Sequence, residues 1–169
     1  MLLESYFREN YCDVCNTQNS FDHDKKLVKS MLNGNVKHRD LKEWMRVYGL
    51  FQGIKSEDRD TIVNNFIDYN NNHIRILDVD LHTYFEVFGD IFDILYNAKK
   101  RMWISASTKL MWLMYPDETI IYDSFVFRSV VIIQSLDSEL SKLPKIGNRP
   151  TINSIKNLHI IIEPLLSGP

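Results

Sequence analysis

A single carboxylate, Asp123, sits in the run PDETIIYDSFVFRSV between the apolar pair Ile120–Ile121 and a second apolar run. An aspartate there can cap a following helix, its side-chain oxygen accepting from the first free N–H groups. It can equally be a catalytic anion that the fold holds in place. The two roles are compatible, because a helix start would lock the carboxylate in one position. The same run opens with Pro116-Asp117-Glu118, which is also how a metal-dependent nuclease motif begins. That chemistry needs a following acid-x-Lys on a strand, and none follows at a suitable distance.

Cys12 and Cys15, in YCDVCN, are the chain's two cysteines. A structural zinc site needs four ligands and an iron–sulfur cluster normally four cysteines. His23 would supply a third ligand, and no fourth stands out. The pair reads as two reduced thiols near a loop, and neither a metal nor any other cofactor is expected.

The elements that must position these groups read as helices. DLKEWMRVYGLF has Asp40 as N-cap, Glu43 placed to complete a capping box, and Leu41, Trp44, Val47, Tyr48 and Phe51 at helical spacing. SEDRDTIVNNFIDY opens on Ser56 with acids in its first turn, favourable at the positive end of a helix dipole. DLHTYFEVFGDIFDILYNAKK carries a stripe of Leu81, Tyr84, Phe85, Phe88, Ile91, Phe92 and Leu95, which reads as core. SASTKLMWLMY is a shorter helix stopped by Pro116, and ETIIYD is extended or loop. FVFRSVVII is ambiguous: its β-branched residues favour a strand, while Asp123 or Ser124 would cap a helix. TINSIKNLHIIIEPLL has Thr151 as cap and an expected end near Pro164. The reading is mostly α, with seven or eight helices and little sheet.

At 169 residues the chain suits a single helical domain, 1–169, with 1–24 as a loosely packed N-terminal segment. A chain of this length buries a core without disulfides or metal. No apolar run approaches the roughly 20 residues that span a bilayer, and MLLESYFREN lacks the apolar stretch of a signal peptide. A soluble, cytoplasmic monomer is expected. The net charge of −2 excludes a strongly basic nucleic-acid binder, yet the charge is segregated. From Lys25 to Arg46 there are seven basic residues and two acidic ones. Between Asp93 and Asp117 lie Lys99, Lys100, Arg101 and Lys109 and no acid, and between Glu139 and Glu163 four more basic residues and no acid. Glu57 to Asp93 is the acidic stretch, nine against two. Basic segments sharing a face would accept a phosphate backbone; scattered, they are solvated charge.

The run SASTKLMWLMYPDETIIYDSFV resembles the central segment of the helix-hairpin-helix DNA glycosylase superfamily, most closely bacterial proteins with an 8-oxoguanine-glycosylase fold. LKEWMRVYGLF is similar to an upstream helix of that group, so the likeness runs from Asp40 to Ile133. In the superfamily a hairpin leads into a helix, then a short extended turn, then an Asp that starts the next helix. The family pattern around that Asp reads approximately Val-Asp-Thr-His-Val, against Tyr122, Asp123, Ser124, Phe125 and Val126 here. The resemblance implies a helical glycosylase-like domain with Asp123 as its catalytic carboxylate. The hairpin is degenerate. Where relatives carry Gly-x-Gly this chain reads WISAST, so Ser105, Ala106 and Ser107 would present N–H groups to a phosphate instead. The proline usual before the Asp is missing, and so is the four-cysteine cluster of some members. Lys109, 14 residues before Asp123, is too near it to match the lysine of bifunctional relatives and would contact phosphate.

The implied activity is removal of a damaged or modified base from DNA by monofunctional N-glycosidic hydrolysis. Positive charge builds on the sugar, and a fixed anion stabilises it or orients water. The base must first be flipped into a pocket of aromatic and polar groups, for which Trp44, Trp103, Trp112, Tyr122 and Phe125 are candidates. Lys99, Lys100, Arg101, Ser105, Ser107, Lys109 and Arg128 are the candidate DNA contacts. The target base stays open between oxidised, alkylated and modified phage bases, and so does the choice between DNA repair and phage defence. The alternative is a non-catalytic helical module binding DNA or a protein, which would not need Asp123.

Overall fold

The computed structural model describes residues 19–73, 80–100, 103–122, 124–136, 140–145 and 151–166. Among them are seven α-helices, one 3-10 turn and no strand, as the sequence predicts. The chain divides into two compact units, Met1–Ile74 and Arg75–Pro169.

The first unit contains α1 (Asn19–Leu32), α2 (His38–Val47) and α3 (Ser56–Asn72). Helix α2 packs against both α1 and α3. The core holds Leu27 and Met31 of α1, Leu41, Trp44 and Met45 of α2, and Ile62, Val63 and Phe66 of α3. Two glycines make the sharp exits possible. Gly34 (φ +63°) and Gly49 (φ +72°) take the left-handed conformation that residues with a Cβ avoid. After α2 the Gly49 N–H reaches the Arg46 carbonyl and the Leu50 N–H the Met45 carbonyl, a Schellman ending. After α1 the Gly34 and Asn35 N–H groups do the same to Met31 and Ser30. Asn70 of α3 donates to the Met31 carbonyl at 3.3 Å, tying α3 to α1.

Two details here differ from the sequence reading. Asp40 is not the cap of α2; the helix starts two residues earlier behind Lys37, which makes no side-chain capping bond. Asp40 remains in the first turn, where the helix dipole still favours an acid. Glu43 turns to Arg46 (2.8 Å from Nε) rather than closing a capping box. Of the expected N-terminal segment 1–24, residues 1–18 lie outside the described residues; the chain is helical from Asn19, and Asp24 is buried.

The second unit contains α4 (Leu81–Lys99), α5 (Ile104–Met114), α6 (Ser124–Leu136), a 3-10 turn (Leu140–Lys142) and α7 (Ile152–Leu166). Asp80 caps α4, accepting from the Thr83 N–H at 2.7 Å. The aromatic stripe of α4 faces inward: Tyr84, Phe88, Ile91 and Leu95 are buried, and α4 packs against α5. The ambiguous FVFRSVVII segment is helical. Val130 and Gln134, one turn apart, are buried while Val131 and Ile132 between them are exposed, a helical and not an alternating pattern. Gln134 donates to the carbonyls of Leu140 and Pro144, both at 3.3 Å, which holds the 3-10 turn against α6. Thr151 caps α7, its hydroxyl accepting from the Ser154 N–H at 3.1 Å. Helix α7 runs through Pro164 to Leu166 instead of stopping at the proline. Among the described residues no helix is long and apolar enough to cross a membrane.

Candidate functional site

The stretch from Trp103 to Tyr122 is organised by Thr108. Two polar residues of α5, Ser107 and Thr108, are fully buried (0% exposed), so each must find partners inside the protein. Ser107 Oγ donates to the Trp103 carbonyl at 3.0 Å. Thr108 Oγ1 donates to the Ser105 carbonyl at 3.1 Å and accepts from the Tyr122 N–H at 3.0 Å. Pro116, just beyond the last helical residue, stops α5, and the Thr119 N–H caps the turn on the Tyr115 carbonyl at 3.0 Å. The loop then returns along α5 until Tyr122 meets Thr108.

Tyr122 is held by its side chain as well. It is 4% exposed; burial pushes its phenol above the usual range, and a hydrogen bond to Ser154 near the start of α7 partly opposes that. The next described residue, Ser124, opens α6. Position 122 is therefore fixed by main chain and ring, and a helix begins two residues later. Asp123 lies between them in sequence and falls outside the described residues, as do the side chains of Ser124 and Phe125.

The sequence-predicted DNA contacts separate into groups. Lys100 ends α4 in the left-handed conformation (φ 53°), exposed, with Nζ 3.0 Å from Asn97 Oδ1 and 5.2 Å from the Tyr96 ring centre. Arg128 is exposed on α6, and Lys109 and Ser105 are half-buried on α5. Ser107 is turned inward instead of toward a ligand, because its hydroxyl closes the first turn of α5 on Trp103. Lys99 is the last residue of α4; its side chain and the whole of Arg101 fall outside the described residues. Helices α4 and α5 are consecutive and pack against each other.

The aromatic candidates are equally mixed. Trp103 and Trp112 are half-buried on α5 and at its start. Trp44 is 1% exposed in the first unit, and its indole N–H is spent on Asp24. It has no face to offer a base, because its ring fills the core between helices. Tyr122 is similarly enclosed. Among the described residues no group of three or more His, Cys, Asp or Glu side chains is arranged to hold a metal; Cys12 and Cys15 fall outside them.

Two residues that matter here escape a reading of the sequence. Thr108 looks like filler in an apolar helix, and only its burial with Tyr122 facing it shows what it does. Asp24 looks like a surface acid, and only Trp44 and Tyr48, in another helix, reveal it as buried. No family model matches the chain, and neither does a curated protein or a solved structure.

Proposed function

We propose that the chain is a monofunctional DNA N-glycosylase, acting as a cytoplasmic monomer, with Asp123 as its catalytic carboxylate. The observation that supports this reading is the bond from the Tyr122 N–H to buried Thr108 Oγ1, followed by a helix opening at Ser124. Electrostatic catalysis requires a preorganised anion, and the sequence neighbours of Asp123 are a pinned residue on one side and a helix start on the other. In the proposed reaction DNA lies along Lys100, Lys109 and Arg128, and a flipped base enters beside Trp103. Glycosidic cleavage leaves positive charge on the sugar, which the Asp123 anion stabilises while water attacks. Lys109 contacts phosphate and forms no Schiff base.

The deciding measurement is base release from native and modified duplexes by the wild-type protein beside Asp123→Asn. The substitution keeps size and much of the capping ability but removes the anion. Release should fall by on the order of 10²-fold or more, the scale of losing a preorganised electrostatic group, while stability changes within the ~1 kcal/mol of an altered cap. Lys109→Ala should weaken binding and leave the rate at saturation mostly intact. A borohydride-trapped protein–DNA adduct would overturn the hydrolytic mechanism. Full activity in folded Asp123→Asn protein would overturn the assignment.

A further inference from the structure

The first unit carries a second feature suited to phosphate, independent of Asp123. Two adjoining clefts, of about 390 and 140 Å³, share His23 and Asp40 as lining residues. The larger is lined by the cations Arg39, Lys42, Arg46 and Arg59 against the carboxylates Asp40 and Glu43. The smaller adds Lys26 and Lys37. This concentrates positive charge in a protein whose net charge is −2.

The cations fall into two kinds. Arg39, Arg46 and Lys42 rest on exposed or half-exposed carboxylates: Asp40 at 3.2 Å, Glu43 at 2.8 Å and Asp60 at 2.6 Å. The Arg46 guanidinium holds the Glu43 carboxyl below its usual range, and the Lys42 ammonium does the same to Asp60. Ion pairs this exposed are weak, so an incoming phosphate displaces them easily. Arg59, Lys26 and Lys37 have no carboxylate partner among the described residues. Arg59 is nevertheless held still. Its guanidinium stacks 5.4 Å from the centre of the Phe51 ring, and two of its N–H groups meet the Ile54 carbonyl at 3.3 and 3.1 Å. An arginine fixed in this way loses little freedom when its remaining donors fork onto a phosphate.

We propose that the two clefts form a phosphate-binding track for a polynucleotide strand. A single phosphate would need one cluster; cations continuing through two adjoining clefts suit successive phosphates of one backbone. The proposal does not rest on base removal, and it assigns nucleic-acid contact to a unit that does not contain Asp123.

The test is anisotropy with labelled single-stranded and duplex oligonucleotides at several salt concentrations. Proteins compared are the wild type, Lys26→Ala/Lys37→Ala, Arg46→Ala/Arg59→Ala, and the exposed control Lys145→Ala. Each double variant should bind roughly 10-fold or more weakly, and the log–log salt slope should shrink by about one for each phosphate contact removed. Lys26 and Lys37 are exposed, so that variant keeps its fold even if loss of Arg59 from Phe51 does not leave the other intact. Unchanged affinity and slope in Lys26→Ala/Lys37→Ala would overturn the track, as would an equal loss in Lys145→Ala. Inorganic phosphate and a mononucleotide serve as competitors. If either binds as tightly as the oligonucleotide, the clefts are a small-phosphate site and the polynucleotide assignment fails. Asp123→Asn should bind as the wild type does, which separates failure of the track from failure of the catalytic reading.

Discussion

Asp24 and Trp44, 20 residues apart, meet in the interior of the first unit: the Asp24 carboxylate accepts the Trp44 indole N–H at 2.8 Å. The other carboxylate oxygen takes the Tyr48 hydroxyl at 2.5 Å. Trp44 and Tyr48 lie one turn apart on α2 and at its end, their rings 4.5 Å apart. One side chain of α1 thus satisfies two donors of the neighbouring helix, and burial with the Asp24 hydrogen bond pushes the Tyr48 phenol far above its usual range.

The first prediction follows. Asp24→Ala strands a fully buried indole N–H and a part-buried hydroxyl, and an unmade buried bond costs about 1–3 kcal/mol. Urea unfolding followed by Trp fluorescence should show a loss of about 2–4 kcal/mol, with two donors affected. Asp24→Asn keeps one acceptor oxygen and should lose less. Equal stability of wild type and Asp24→Ala would mean that the bonds to Trp44 and Tyr48 contribute nothing net.

This contact also shows where the sequence stops being legible. Helix α4 can be read from periodicity because Tyr84, Phe88, Ile91 and Leu95 recur at helical spacing and all are buried. Helix α1 cannot. Its inward positions are Asp24, Leu27 and Met31, and the first is a charge whose partners stand 20 and 24 residues further on. Helix α6 is ambiguous for a different reason: its β-branched run fits a strand by propensity, and only the burial of Val130 and Gln134 on one side selects the helix. The candidate site follows the same rule. The turn at Pro116 is local and visible, whereas the helix that opens at Ser124 is not decided by its own residues, and the Thr108–Tyr122 bond spans 14 residues and carries no pattern.

The second prediction concerns alkaline pH. Burial pushes the Tyr84 phenol in the second unit up to about 12. Its ordinary value is near 10. Below about pH 10 both folded and unfolded chains hold the proton, so the contribution is fully present. Between about pH 10 and 12 the unfolded tyrosine ionises first, and stability should fall by on the order of 2–3 kcal/mol. Tyr84→Phe removes the titration and should flatten that part of the curve. Unfolding measured against pH on both proteins checks it; parallel curves would show that Tyr84 does not drive the alkaline loss.

The third prediction joins the local geometry to the proposed chemistry. Thr108→Val keeps the shape of the side chain but deletes the oxygen that accepts the Tyr122 N–H and donates to the Ser105 carbonyl. The Tyr122 main-chain donor is buried, so its loss of a partner should destabilise the protein by about 1–3 kcal/mol. Tyr122 would also lose the bond that fixes it beside Asp123. If Asp123 acts as an oriented anion, loosening its neighbour should lower the rate of base release at saturating DNA and leave DNA affinity nearly unchanged, since no phosphate contact is altered. Thr108→Ser restores the oxygen without the methyl group and should recover most of the rate while remaining somewhat less stable. A purely structural role predicts another outcome: Thr108→Val would be less stable, yet the folded fraction would release base at the wild-type rate. Single-turnover kinetics, scaled to the folded fraction, separate the two. Loss of rate in Thr108→Val with recovery in Thr108→Ser would tie position 122 to the chemistry at position 123.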